Sequence, residues 1–246
     1  MAPSEHYRKA PIAEAIVDLR VEPRGDIKPE DMDFHAMVAA DYPDKGKVAA
    51  FSRPTISGPL DTHESGFRGK DEALKFKSED GKRIIQSMKS GYTFNLMAPY
   101  GSWEEMTGWA KDGWDAYVRA AKPDKVTRVA TRYVNLINIP ATNFYWDDYF
   151  NFLQVFPREF LGSVTEYFNR VSFKYPGADT EATVTMGYSA PSSKGSTQII
   201  LDIDVFNQVS LSPVTKDVWT QLEKLREVKN NIFDKMITDK TKELFR

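Results

Sequence analysis

Alternation of apolar and polar residues is the feature that most limits how this chain of 246 residues can fold. Between residues 15 and 22, apolar residues at the odd positions alternate with mostly charged residues at the even positions. A period of two places successive side chains on opposite faces of an extended strand, so one face is buried and the other is wet. Further strands are predicted at residues 74–78, 83–88, 92–97, 126–139, 166–175, 181–189 and 197–206, with a brief one at 48–51.

Two long helices are predicted from apolar residues spaced three or four positions apart. The first spans residues 102–121 and opens with a capping box, SWEE, that satisfies backbone N–H groups of the first turn. Gly108 and Gly113 within it are expected to allow close packing on a sheet. The second long helix spans residues 215–236.

Strands precede a long helix in both halves of the chain, and this order predicts the fold class. We expect an α+β protein in which antiparallel sheets are each covered by a long helix, because the apolar face of such a sheet needs a cover. The repeated order suggests two similar halves, at residues 1–140 and 141–246, with one continuous domain as the alternative.

Composition excludes several classes of protein. The net charge of -2 does not favour nucleic acid as a partner, and the absence of cysteine removes disulfides and thiol chemistry. No stretch approaches eighteen apolar residues and the N-terminal stretch does not resemble a signal peptide, so we expect no membrane span and a cytoplasmic location.

Motifs of the commonest enzyme classes are missing, and we predict no catalytic residue. The sequence has no metalloprotease, P-loop, nucleophile-elbow or dinucleotide-binding motif. His63 beside Glu64 is the one histidine in a long connection next to a carboxylate, and an ordinary surface loop is the favoured interpretation.

Charged residues recur on the predicted strands opposite the apolar positions, and two interpretations stay open. They are Asp18, Arg20, Arg128, Arg132, Arg170, Lys174, Asp202 and Asp204. On a solvated outer face they would form cross-strand ion pairs. In a curled trough, Arg20, Arg128, Arg132, Arg170 and Lys174 would bind a phosphate-bearing ligand. Asp202 and Asp204, two apart on one strand, would then hold a divalent cation, and no other cofactor is predicted.

Aromatic residues outside the main helical stripes predict a contact surface. Trp109, Tyr145, Trp146 and Tyr149 belong to this set, and Tyr and Trp dominate the energetics of protein interfaces. Self-association through residues 144–156 is therefore expected, which makes a homodimer or other homo-oligomer part of the prediction.

Several motifs, in order along nearly the whole chain from about residue 10, resemble those of a sporadically distributed family of uncharacterised prokaryotic proteins of about 250 residues. They are PIAEAIVDLRV, FHAMVAADYP, the strand pair of Phe76, Ser78, Asp80 and Gly81 that runs on to SWEEM, RVATRYVNLI and FDKMITDKTKELF. The patchy distribution of that family implies horizontal transfer and a mobile or defence-associated locus. The resemblance implies no activity for any residue.

These observations favour a non-enzymatic protein that binds another protein or regulates it. The competing hypothesis is an enzyme that binds a phosphate ligand or a nucleotide in a charged trough on the sheet, with or without a metal.

Overall fold

A computed structural model of the chain describes residues 7–49, 72–151, 166–189 and 195–246. The described strands are β1 (Ile12–Glu22), β2 (Asp44–Ala49), β3 (Glu72–Lys77), β4 (Arg83–Met88), β5 (Gly91–Met97), β6 (Lys125–Ile139), β7 (Glu166–Lys174), β8 (Glu181–Ser189) and β9 (Thr197–Leu211). The described α-helices are α1 (His35–Val38), α2 (Trp103–Ala121), α3 (Asp217–Met236) and α4 (Asp239–Glu243), with 3-10 helices at Pro29–Met32 and Trp146–Asp148.

The nine strands form one antiparallel sheet in the order β2-β3-β4-β5-β1-β6-β9-β8-β7. The first strand is therefore central, because β1 pairs with β5 on one side and with β6 on the other. The strands β2 and β7 lie at the two ends of this order.

The prediction of separate sheets, each covered by its own long helix, is wrong. Strand β6 pairs with β9 from Val126 opposite Leu211 to Ile139 opposite Thr197, and this long pairing joins both parts of the chain in one sheet. Alternation along a strand shows which side chains are buried, but it does not show which strand lies beside it. The division at residue 140 remains a prediction.

Both long helices cover the same face of the sheet. The Tyr92 hydroxyl of β5 donates to the carbonyl oxygen of Ala110 in α2 at 2.9 Å, and Tyr133 of β6 lies under Lys229 of α3. Tyr92 lies opposite Leu19 of β1, and Tyr133 lies opposite Ala15 of β1. Because Ala15 and Leu19 are an even number of residues apart on one strand, the two tyrosines lie on the same face. The helices also contact each other, because the Trp103 indole of α2 donates to the Glu223 carboxylate of α3.

The start and the packing of α2 follow from its sequence. The Ser102 hydroxyl accepts from the Glu105 backbone N–H at 3.1 Å, and the Glu105 carboxylate accepts from the Ser102 N–H at 3.1 Å, which confirms the capping box. A Cβ atom added to Gly113 would lie 2.3 Å from the Tyr92 hydroxyl oxygen. The missing side chain therefore allows α2 to approach the sheet closely.

The strand register assigns the remaining side chains to two faces. Residues such as Val17, Thr131 and Val205 lie opposite one another on the helix-covered face. The alternate residues, including Asp18 and Asp204, lie on the opposite face, which we call the second face. None of the described helices is both long enough and apolar enough to span a membrane.

Candidate functional site

Five of the seven residues predicted to bind a ligand or a metal lie close together on the second face. They belong to the three adjacent strands β1, β6 and β9. With one further aspartate they form the central charged face, which consists of Asp18, Arg20, Arg128, Arg132, Asp202 and Asp204. Each of these side chains has less than a third of its surface exposed.

One part of the central charged face is a chain of charges across three strands. Arg20 donates to both oxygens of Asp18, at 3.0 and 2.6 Å. Arg128 then donates to Asp18 at 2.9 Å and to Asp204 at 3.0 Å, and its guanidinium lies 4.3 Å from the centre of the Phe206 ring. Arg128 is thus held between two carboxylates and over an aromatic ring.

The other part is the pair of Arg132 and Asp202, which make two hydrogen bonds of 2.8 and 2.6 Å. Burial opposes the charge on Arg132, but Asp202, Asp204 and Glu14 outweigh it and raise the pKa of the guanidinium. For Asp204, burial raises the pKa of the carboxyl group, although Arg128 and Arg132 act to lower it. Pairing with Asp202 therefore stabilises the charged form of Arg132, while burial is the larger influence on Asp204.

Sequence reasoning missed a carboxylate beside this face. Glu14 is buried, and its Oε1 accepts from the Asn95 side-chain amide at 2.6 Å. Its Oε2 is buried without a hydrogen-bond partner within the described part of the chain. The available signal in the sequence was Glu14 itself, a charged residue within the mostly apolar start of β1.

The arrangement does not leave the arginines ready for an anion, because each one already donates to a carboxylate. Three arginines and three aspartates balance the formal charge of the central charged face. Among the described residues no group of three or more His, Cys, Asp or Glu side chains is placed to hold a metal ion. The divalent cation at Asp202 and Asp204 remains a prediction.

The last two predicted ligand residues, Arg170 and Lys174, lie on the end strand β7. Arg170 is opposite Thr185 of β8, which is in turn opposite Asp202 of β9. The register thus places Arg170 on the second face but two strands away from the central charged face. Both side chains are exposed.

Strand β7 also carries exposed apolar side chains on both of its faces. Six large apolar residues are exposed in the described part of the chain, and three of them lie on this strand: Phe168 at 42%, Val171 at 50% and Phe173 at 37%. Val171 and Phe173 share the helix-covered side, while Phe168 lies on the second face. Exposed apolar side chains on a strand at the end of a sheet are typical of a surface that pairs with another chain.

The opposite end of the sheet has a different chemistry. Strand β2 is six residues long and includes Lys45, Gly46 and Lys47. Lysine on a short end strand discourages pairing with another chain, because a charge would have to be covered. Strand β7 spans nine residues and places Lys174 at its last position, with Arg170 as a second exposed basic residue in its middle. The two ends therefore differ in length and in the large apolar side chains that β7 exposes.

The predicted aromatic contact residues are only partly on the surface. Trp146 and Tyr149 are buried, and Trp109 is partly buried with Arg83 stacked 5.1 Å from its ring centre. Tyr145 is 49% exposed. The Trp146 ring lies 4.8 Å from the ring of Tyr167 in β7, so this aromatic cluster packs against the end strand.

Lys229 of α3 is a buried titratable group on the helix-covered face. Its ammonium nitrogen lies 3.9 Å from the centre of the Tyr133 ring. Burial lowers the pKa of Lys229 to about 7, and the nearby Arg226 acts in the same direction. The apolar spacing that predicts this helix gives no indication of a buried lysine at position 229.

Two further predictions concern parts of the chain that the structure does not describe. His63 and Glu64 lie outside the described residues, as does the end of the aromatic segment 144–156. Within the described part of that segment, Trp146–Asp148 form a 3-10 helix.

A scan of the chain against protein-family models finds no match, and a comparison with curated proteins finds none either. The resemblance to a sporadically distributed prokaryotic family therefore remains a prediction.

Proposed function

We propose that this is a non-enzymatic protein-binding protein that accepts an extended segment of a protein along β7. The observation that carries the proposal is the contrast between the two ends of the sheet. Strand β7 exposes Phe168, Val171 and Phe173 beside Arg170 and Lys174, whereas the two lysines of the shorter β2 have no exposed large apolar neighbour among the side chains that are described on that strand. A mobile or defence-associated locus, with a regulatory role there, is supported by the resemblance alone.

Strand addition suits this surface for a physical reason. The outer side of an end strand presents backbone N–H and C=O groups, and an added strand forms hydrogen bonds with them. Side chains that flank the new strand then supply specificity through apolar contact. On β7 these flanking groups are Val171 and Phe173 on one face and Phe168 on the other.

Peptide selection tests the proposal. Nine-residue peptides are selected by phage display on the purified protein and their affinities are measured by calorimetry. We expect Val171→Lys to weaken binding at least about tenfold, because a lysine on the end strand opposes pairing.

The matched control is Val214→Lys, which makes the same change at an 81% exposed valine outside β7. This variant should bind the peptides like the unchanged protein. Equal binding by both variants would show that the peptides dock elsewhere and would contradict the proposal.

The competing proposal is an enzyme that binds a phosphate ligand or nucleotide, and the clustering of five predicted residues on adjacent strands supports it. The pairing of Arg20, Arg128 and Arg132 with aspartates supports it less, since a phosphate would have to displace those carboxylates. A rise in Tm with ATP and Mg²⁺ that Arg132→Ala removes would favour this alternative.

A further inference from the structure

We propose that the segment accepted by β7 is the β7 strand of a second copy of this chain. The two strands would pair antiparallel about a two-fold axis that lies midway between Val171 and the partner's Val171. The sheet would then continue through both copies. This inference rests on the proposed function, because it names the partner for the same strand.

Symmetry restricts how β7 can pair with itself. A two-fold axis perpendicular to the sheet keeps the helix-covered faces of both copies on the same side. Each residue must then lie opposite a residue of the same face, so one residue of β7 lies directly opposite its own copy. We name each register by that residue and say that the axis is at it.

Of the registers with the axis at Asn169, Arg170, Val171 or Ser172, the charges on β7 disfavour two. An axis at Arg170 would place Arg170 directly opposite the partner's Arg170. An axis at Ser172 would place Arg170 opposite the partner's Lys174. Like charges directly opposite each other destabilise a strand pair, so neither register is favoured.

The exposed apolar residues decide between the other two registers. An axis at Asn169 would leave Phe173 beyond the paired part of β7, opposite a position before Glu166. An axis at Val171 pairs the strand from Phe168 to Lys174 and covers all three exposed apolar side chains.

In this register the facing groups are compatible. Val171 lies opposite the partner's Val171, and Arg170 lies opposite the partner's Ser172. Phe168 lies opposite the partner's Lys174, which allows a contact between a cation and an aromatic ring.

The contrast between the ends of the sheet also favours a closed pair over an open chain of copies. Pairing of β7 with β2 of another copy would be head-to-tail and would propagate. Lys45 and Lys47 on β2 oppose that arrangement. Pairing of β7 with β7 uses the same surface twice and ends at a dimer.

Single cysteines test the register, because the chain has no cysteine of its own. Facing residues of an antiparallel pair have Cα atoms about 4.5–5.5 Å apart, within the range of a disulfide. We therefore expect Val171→Cys to form a cross-linked dimer under mild oxidation. Phe173→Cys should not, because in the proposed register the two introduced thiols lie four residues out of register.

A double variant checks the geometry. The combination of Asn169→Cys and Phe173→Cys should cross-link, since Asn169 lies opposite the partner's Phe173. Val214→Cys, exposed but outside β7, controls for random collision. Cross-linking by Phe173→Cys alone and not by Val171→Cys would overturn the register.

Sedimentation velocity separates the two proposals. The unchanged protein and Val214→Lys should be dimers, and Val171→Lys should be a monomer. A dimer that persists in Val171→Lys uses another surface and overturns this inference. An unchanged protein that is monomeric at every concentration, yet binds selected peptides at β7, also overturns it but leaves the proposed function standing.

Discussion

At the scale of single residues, burial decides how the charged groups of this protein behave. Arg128 and Arg132 donate to aspartate side chains, while Lys229 is buried over the Tyr133 ring with Arg226 nearby. Burial and a neighbouring like charge both disfavour the charged form of an ammonium group. The consequence is that the pKa of Lys229 is lower in the folded protein than its ordinary value.

Lys229→Met should stabilise the protein most at about pH 7 and below. The pKa of Lys229 is about 7 in the folded protein and 10.5 ordinarily, so the unfolded chain binds more protons between these values. The free energy of unfolding of the unchanged protein therefore rises with pH across this window, by at most about 1.4 kcal/mol per pH unit. The difference in the free energy of unfolding between Lys229→Met and the unchanged protein should therefore shrink as the pH rises above about 7.

Urea unfolding at several values between about pH 6 and pH 9 measures this difference. Lys224→Met, at an exposed position of the same helix, is the control and should give a flat difference. If the difference in the free energy of unfolding for Lys229→Met did not change with pH, the Lys229 amine would be charged in the folded protein over the whole pH range.

At the scale of elements, most helices and strands could be predicted from pattern alone. Ser102 and Glu105 located the start of α2, and alternation located β1 and most other strands. The pattern did not reveal the extension of β9 to Leu211, because the polar residues Asn207 and Gln208 interrupt the apolar alternation. Such ends depend on the neighbouring strand, here β6, which supplies backbone partners as far as Val126.

The two glycines of α2 should respond in opposite ways to alanine. Gly113→Ala should destabilise the protein by about 1–3 kcal/mol, because its Cβ would lie 2.3 Å from the Tyr92 hydroxyl oxygen and 2.9 Å from Ile85 Cδ1. Gly108→Ala meets nothing within 4 Å and should stabilise by up to about 1 kcal/mol through helix propensity.

Thermal or urea unfolding of the two variants measures these changes, and each is the control for the other. Stabilisation by both substitutions would mean that α2 lies farther from β5 than the structure shows.

At the scale of the whole molecule, the arrangement of strands could not be predicted from the sequence. Residues such as Phe168 and Val171 are read as strand residues from their pattern. Their place at the end of the sheet depends on pairings between distant segments, including β6 with β9 and β8 with β9. For this reason the central charged residues were predicted as a set, while the apolar end strand was recognised only in the structure.

The central claim is that β7 is where another protein segment pairs with this one. Amide hydrogen exchange along residues 166–174 tests it most directly, because a paired strand protects the outer backbone N–H groups of β7. The samples are dilute protein, dilute protein with a saturating selected peptide, and concentrated protein. We predict slower exchange in the second and third samples for the unchanged protein and for Val214→Lys, and no slowing for Val171→Lys. Equal exchange of β7 in all three samples of the unchanged protein would contradict the account.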